Sequence, residues 1–190
     1  MQRRQVLSGL AITSMSLLGW SRQAFALGGV LPTGGEPAPA FHLDGVVPGP
    51  DGSAIEANRS LADFAGRWLV LYFYPRDFTE GCTIEARGFQ RDLAAFHQAG
   101  AEVVGVSADS AESHAEFCGS EALAYPLLSD PGGQVSKAYG SWIAPFSQRH
   151  TFLIDPDGVL RQIWVAVRPS GHSQEVLSSL KILAADHPSA

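Results

Sequence analysis

The apolar positions of this chain fall into short runs of strand length, separated by stretches in which they recur at helical spacing. Trp68-Leu-Val-Leu-Tyr-Phe-Tyr74 is an unbroken apolar and aromatic run and reads as a strand buried on both faces. After a Pro-containing loop, Phe89, Leu93 and Phe96 share one helical face, which predicts a helix that starts near Cys82 and ends near Gly100. Glu102–Ser107 reads as the next strand, and Ser110 is placed to cap a helix running through His114 to about Cys118. Tyr125–Asp130 is a short strand closed by the turn Asp130-Pro-Gly-Gly133, and Gln134–Tyr139 reads as a short helix. His150–Ile154 and Val159–Trp164 flank Asp155-Pro-Asp-Gly158 as a hairpin, and Ser173–Leu183 is an amphipathic last helix capped by Ser173.

The beginning of the chain is less regular. Ala40–Leu43 reads as a short strand, followed by a loop through Pro48-Gly-Pro-Asp-Gly52, and Ser60–Gly66 as one turn leading into the central strand. Leu27–Pro39, rich in Gly and Pro, reads as a flexible start. A β-α-β opening and a hairpin-then-helix finish imply an α/β fold, a mixed sheet with helices on both faces. There are no internal repeats, and 190 residues with 45% apolar content suit one core in one domain, residues 40–190.

Residues 1–26 stand apart. Arg3-Arg4 precedes an apolar stretch from Val6 to Trp20, and Ala24-Phe25-Ala26 has small residues in alternate places; the pattern is that of a secretory signal peptide. The paired arginines resemble a twin-arginine export signal. The apolar stretch is shorter than the roughly 20 residues a spanning helix needs, so cleavage after Ala26 is expected over an uncleaved anchor. The segment carries three arginines and no acid, so its removal takes the net charge from −6 to −9. A domain that acidic is not suited to nucleic acid or to an anionic membrane surface, and no stable membrane association is expected after cleavage. A bacterial periplasm and a thylakoid lumen both suit such a signal.

Candidate chemistry centres on Cys82. It falls in the first turn of the predicted helix, where backbone N–H groups are unpaired and the helix dipole favours negative charge. A thiol there is biased toward thiolate, the nucleophilic form. Among mixed-sheet folds a thioredoxin-like one places a reactive cysteine at the start of the helix after a central strand. Cys118 is the second of two cysteines; there is no C-x-x-C, and the six histidines form no Cys/His set with zinc spacing, so neither metal nor cofactor is expected. In an exported protein a purely structural Cys82–Cys118 bridge is the plainer alternative.

Pro75-x-x-x-Thr79-x-x-Cys82 on a strand–loop–helix junction resembles the peroxiredoxin signature, and Arg149 in Arg149-His-Thr-Phe-Leu-Ile-Asp155 matches the second family element. Leu71-Tyr-Phe-Tyr-Pro75, Glu85-Ala86, Leu127-Leu-Ser-Asp-Pro131, Ala138-Tyr-Gly140 and Gly171-His172 extend the resemblance to the peroxiredoxin Q, or bacterioferritin-comigratory-protein, subgroup over about Pro39 to Leu183. The resemblance implies a thioredoxin-dependent peroxidase acting on hydrogen peroxide and organic hydroperoxides, with a sulfenic acid formed on Cys82. Arg149 would supply positive charge beside the sulfur and hold a peroxide oxygen. Thr79 would accept from the peroxide and donate to the sulfur, while also serving as helix N-cap. Pro75 would shape the loop and shield the sulfur. Glu85 is expected to favour the first helical turn, Phe78 and Glu80 occupy variable places, Trp142 and Trp164 are core or pocket-wall candidates, and His114, His150 and His172 read as ordinary polar residues.

In many members of the subgroup the resolving cysteine lies five residues after the first, where this chain has Arg87. Either the enzyme works with one cysteine, or Cys118, on the next helix, resolves the sulfenic acid as an intramolecular disulfide. The second course is favoured, requires local unwinding around Cys82, and permits a monomer. Competing readings are an exported redox-sensing or binding module without significant turnover, and a structural module locked by a permanent bridge.

Overall fold

The structure is a computed structural model and describes residues 25–186, so the expected leader lies, except for its last two residues, outside the described residues. The central strand β5 (Trp68–Phe73) is buried at every position, as its continuous apolar run requires. Its side chains alternate. Trp68, Val70 and Tyr72 join a cluster with Phe89, Leu93, Phe96, Phe117, Val176 and Leu180, while Leu69, Leu71 and Phe73 join Val104, Val106, Phe152 and Leu160 on the opposite face.

Seven strands make the main sheet. They are β3 (His42–Pro48), β4 (Ala54–Ser60), β5, β6 (Ala101–Ser107), β7 (Leu127–Ser129), β10 (His150–Ile154) and β11 (Leu160–Trp164), ordered β11-β10-β5-β6-β7-β3-β4. Two small hairpins complete the strands, β1 (Phe25–Ala26) with β2 (Gly29–Val30) and β8 (Trp142–Ile143) with β9 (Phe146–Ser147). The parallel steps β5 to β6 and β6 to β7 are carried by α1 (Glu80–Gln98) and α2 (Ala111–Glu121). Both steps run in the same direction across the sheet, and right-handed crossovers then place both helices on one face. The last helix, α4 (His172–Ala185), packs on α1 on that face. The other face is covered by α3 (Gln134–Ala138), a 3-10 turn at Leu61–Phe64 and the buried Leu31, Ala38 and Phe41. The mixed sheet with helices on both faces is the expected architecture.

Three local expectations are corrected. The loop expected after Leu43 is instead a seven-residue strand, β3, paired in register with β4 from His42↔Ser60 to Pro48↔Ala54. β4 is an edge strand with no fully buried residue, so no apolar alternation announces it. The last helix is capped by Gly171 rather than Ser173; Ser173 lies inside the helix and donates from Oγ to Asp92 Oδ2 at 2.6 Å. The segment 27–39, expected to be flexible, carries backbone bonds to the body: Trp142 N–H donates to the Gly28 carbonyl at 3.0 Å, Gly35 N–H to Leu160 and Ala38 N–H to Gly158.

Candidate active site

The strand β5 ends at Phe73, and the stretch Tyr74–Thr79 turns the chain into α1, whose third residue is Cys82. Thr79 is the N-cap, with extended backbone angles, and its carbonyl accepts the Thr83 N–H at 2.9 Å. The Cys82 side chain is buried. Arg149, immediately before β10, reaches it: Nη2 donates to Cys82 Sγ at 3.3 Å and Nη1 donates to Glu85 Oε2 at 2.5 Å. Cys82 and Glu85 are three apart on α1 and share a face, so one guanidinium serves both. Gly81 eases the approach: a Cβ there would sit 3.2 Å from Arg149 Nη2, a tight contact, and 3.5 Å from Pro169 Cγ, an ordinary one.

The Arg149 backbone is held from two sides. Gln148 N–H donates to Ser141 across the β8–β9 hairpin, and Val167 N–H donates to the Arg149 carbonyl. The paired Glu85 carboxyl is buried, and burial pushes its pKa up to about 7 although the Arg149 charge and hydrogen bond oppose the shift. The other carboxyl oxygen, Oε1, has no hydrogen-bond partner.

Thr79 sits exposed at the mouth, and its hydroxyl donates to the Arg76 carbonyl at 3.0 Å. That corrects half of the expected role: the proton is directed to Arg76 and not to the sulfur, which leaves the oxygen lone pairs open to accept. Pro75 is half-buried at the start of the loop. Phe78 adopts φ 58, costly for a non-glycine residue, and its ring meets Phe117 edge-on at 5.2 Å.

Cys118 is the eighth residue of α2, also buried, and both cysteines are free thiols. Burial pushes the Cys118 thiol up to about 12, with the Asp77 charge adding to the effect. Asp77 itself belongs to the loop and is almost fully buried. It accepts from Tyr74 Oη at 2.7 Å and Ser113 Oγ at 2.7 Å and pairs with His114 Nδ1 at 2.9 Å. His114 is thus a fully buried link between loop and α2, not the ordinary polar residue expected. His150 and His172 are buried too, the first accepting Ala166 N–H on Nδ1 and the second paired with Thr151 Oγ1 at 2.8 Å. Trp164 lies in the core, as expected, and Trp142 packs over Gly133 and Lys137.

The structure therefore brings Cys82, Arg149 and Glu85 together, with Thr79 and Pro75 on the loop leading to them, and puts Cys118 on the neighbouring helix. Glu85 and Asp77 were not anticipated as site residues. The three-residue spacing from Cys82 was the available signal for Glu85; Asp77 offered none, since its partners come from a distant helix. An apolar groove of about 350 Å³ lies at the opposite end of β5 and β10, lined by Leu61, Phe64, Leu69, Ile154 and Pro156, and contains none of these residues.

The sequence matches the AhpC/TSA family over residues 34–163. It is 41% identical over 131 residues to Peroxiredoxin Bcp of Xanthomonas campestris, covering 64% of this chain and 81% of the relative. It is also 41% identical over 156 residues to the mitochondrial thioredoxin-dependent peroxide reductase of Drosophila melanogaster, covering 77% of this chain and 64% of that protein. A structure of the Xanthomonas campestris bacterioferritin comigratory protein, described as a trapped intermediate and ligand complex bearing on alkyl peroxide reduction, superposes with a TM-score of 0.68 at 35% identity. It covers 75% of this chain and 91% of that one.

Proposed function

The chain belongs to the AhpC/TSA family, and from that premise we propose that it is a thioredoxin-dependent thiol peroxidase in which Cys82 attacks the peroxide and Cys118 resolves the product. The observation that carries this reading is the Arg149 guanidinium 3.3 Å from a buried cysteine sulfur in the first turn of a helix. The fold is thioredoxin-like, and the activity is that of a peroxiredoxin.

The thiolate of Cys82 attacks one oxygen of the peroxide in line with the O–O bond. A new S–O bond forms, the O–O bond breaks, and the departing alkoxide or hydroxide leaves protonated as alcohol or water. Cys82 is oxidised to the sulfenic acid. Arg149 stabilises the anionic sulfur and offers donors to the peroxide oxygens, while the free lone pairs of Thr79 Oγ1 accept the peroxide O–H. Helix-start N–H groups favour the negative charge as it moves from sulfur to oxygen.

In the second step the Cys118 sulfur displaces the sulfenic hydroxyl. The S–S bond forms, and the hydroxyl leaves as water with the thiol proton. A thioredoxin-like dithiol then reduces the disulfide by exchange. Burial keeps Cys118 in the thiol form until this step, which protects it from direct oxidation. We read the protein as a monomer exported to a periplasm or thylakoid lumen; the arginine pair and the alternating small residues before Leu27 support export, and an intrachain partner for Cys82 supports the monomer.

Coupled to thioredoxin, thioredoxin reductase and NADPH, the protein should consume both hydrogen peroxide and cumene hydroperoxide, and Cys82→Ser should have no turnover. Retained turnover in that variant would sink the reading. Cys118→Ser should reduce one equivalent of peroxide and then stall; unchanged steady-state turnover would remove Cys118 from the cycle. Sedimentation equilibrium tests the monomer, and the first residue of the protein recovered from the exported fraction tests the leader.

A further inference from the structure

The resolving step requires the start of α1 to unwind, and the unwinding must stop somewhere. Upstream of Cys82, the loop is fastened to α2 by Asp77, which takes the Ser113 hydroxyl and pairs with His114, and by Phe78 on Phe117. Downstream, three successive contacts fasten α1 to the end of the same helix and the residues just after it. Tyr125 Oη donates to the Ala86 carbonyl at 3.1 Å, Arg87 donates through Nε and Nη2 to Glu121 at 2.5 and 3.2 Å, and Ala124 N–H donates to Gln90 Oε1 at 2.7 Å. These partners lie within residues 121–125, directly after Cys118. Leu123 N–H ties that stretch back to the Cys118 carbonyl at 3.0 Å.

Between Phe78 and Ala86 no such fastening exists among the described residues. The side-chain hydrogen bonds there run from Arg149 to Cys82 and Glu85, and from Thr79 to Arg76. The geometry points to α2 and the stretch directly after it as a frame that holds both ends of the unwinding segment. Arg87, Gln90 and Tyr125 are positioning residues for disulfide formation, setting Ala86 as the point beyond which α1 stays helical. This inference rests on Cys118 being the resolving thiol.

The arithmetic of reach supports it. From Phe78 to Ala86 is eight residue steps (86 − 78), with Cys82 midway. A helix rises 1.5 Å per residue, whereas an extended chain spans up to about 3.5 Å per residue, so unwinding the helical part from Glu80 roughly doubles the reach of that part, while Phe78 stays on the helix that carries Cys118 and Ala86 on the stretch after it. Arg87 stands where many relatives of the subgroup carry a same-helix thiol. Here it instead ties the peroxidatic helix to the helix that bears the other thiol.

Hydrogen exchange read by mass spectrometry, on the reduced and disulfide forms, tests the boundary. In a helix, the amides of residues 86–89 pair with carbonyls 82–85, and the Gln90 amide pairs with the Ala86 carbonyl that Tyr125 also engages. In the disulfide form of the parent, α1 amides through Phe89 should lose protection and those from Gln90 onward should keep it. In the Arg87→Ala/Gln90→Ala/Tyr125→Phe variant the reduced form should match the parent. Its disulfide form should lose protection as far as about Arg91, where Ser173 next holds α1 through Arg91 and Asp92. The free segment then grows from eight steps to thirteen (91 − 78), so the disulfide should form roughly twofold more slowly, the cost of the longer loop. Sulfenic acid formation should keep the parent's rate. A boundary that already lies beyond Arg91 in the parent, or that does not move in the variant, overturns the inference while leaving Cys118 as the resolving thiol. Absence of a Cys82–Cys118 disulfide after one equivalent of peroxide overturns both.

Discussion

Arg149 divides one guanidinium between the Cys82 sulfur and the Glu85 carboxyl. A lysine in its place offers a single ammonium and cannot span both acceptors in the same geometry. Arg149→Lys should therefore lower the peroxide rate constant roughly 10–100-fold while leaving the fold intact, as stopped-flow with circular dichroism would show. Glu85 supplies a second residue-level test. Burial raises its folded-state pKa to about 7 from the ordinary 4.5. The native state thus holds this proton more tightly than the unfolded chain does. The stability linked to it is fully present below about 4.5 and is lost as pH rises through about 7. Between pH 5 and 8 the parent should lose stability relative to Glu85→Gln, by up to on the order of 3 kcal/mol. Denaturant melts of the two proteins across that range measure it, and parallel curves would show that Glu85 stays ionised throughout. Cys82 and Thr79 were legible in the sequence because a reactive cysteine at a helix start and its flanking motif are local features, and Arg149 because the run from Arg149 to Asp155 is a second short motif of its own. The direction of the Thr79 hydroxyl and the burial of Glu85 were not, since both depend on groups that only folding brings near.

At the scale of elements, what could be read depended on whether an element announces its own burial. β5 did, through seven consecutive apolar residues, and α1 did, through Phe89, Leu93 and Phe96. β4 could not. Its sequence Ala-Ile-Glu-Ala-Asn-Arg-Ser is mostly polar, and its existence is imposed by the partner strand β3. β3 in turn is placed by a contact no pattern reveals. A Cβ on Gly45 would lie 2.2 Å from the Leu127 carbonyl oxygen and 2.7 Å from the Leu128 Cα. These are backbone atoms, which cannot rotate away. Gly45→Ala should force β3 off β7 and cost about 1–3 kcal/mol or more, measurable as a lower chemical-denaturation midpoint with an unchanged slope. Stability equal to the parent would mean that the two strands separate without penalty. The same reasoning explains the last helix, where Gly171 at φ 79 accepts the capping position that the composition of Ser173 suggested.

At the scale of the whole molecule, the site is held by parts of the chain far from Cys82, including its first described residues. Gly28 lies so close to the β8–β9 region that a Cβ would meet the Gly140 carbonyl at 2.7 Å, and its own carbonyl takes the Trp142 N–H. Gly140 is equally crowded by the Val30 carbonyl, at 2.5 Å from a Cβ, and Leu31 is buried in the second core cluster. This strap therefore braces the hairpin that leads directly to Arg149. Among the described residues, cleavage after Ala26 would remove the two-residue strand β1 and leave Gly28, Val30 and Leu31 in place. A chain beginning at Leu27 should match the parent in melting temperature and in peroxide rate. One beginning at Thr33 loses the Gly28–Trp142 bond and the burial of Leu31. Burying such a side chain contributes roughly 1.5–3 kcal/mol, and for a domain of this size that lowers the melting temperature by roughly 5–10 °C. The peroxide rate, measured well below that temperature, should fall as well, because Arg149 loses the brace on its approach strand. Equal activity in the two shortened chains would show that the hairpin positions Arg149 without the strap.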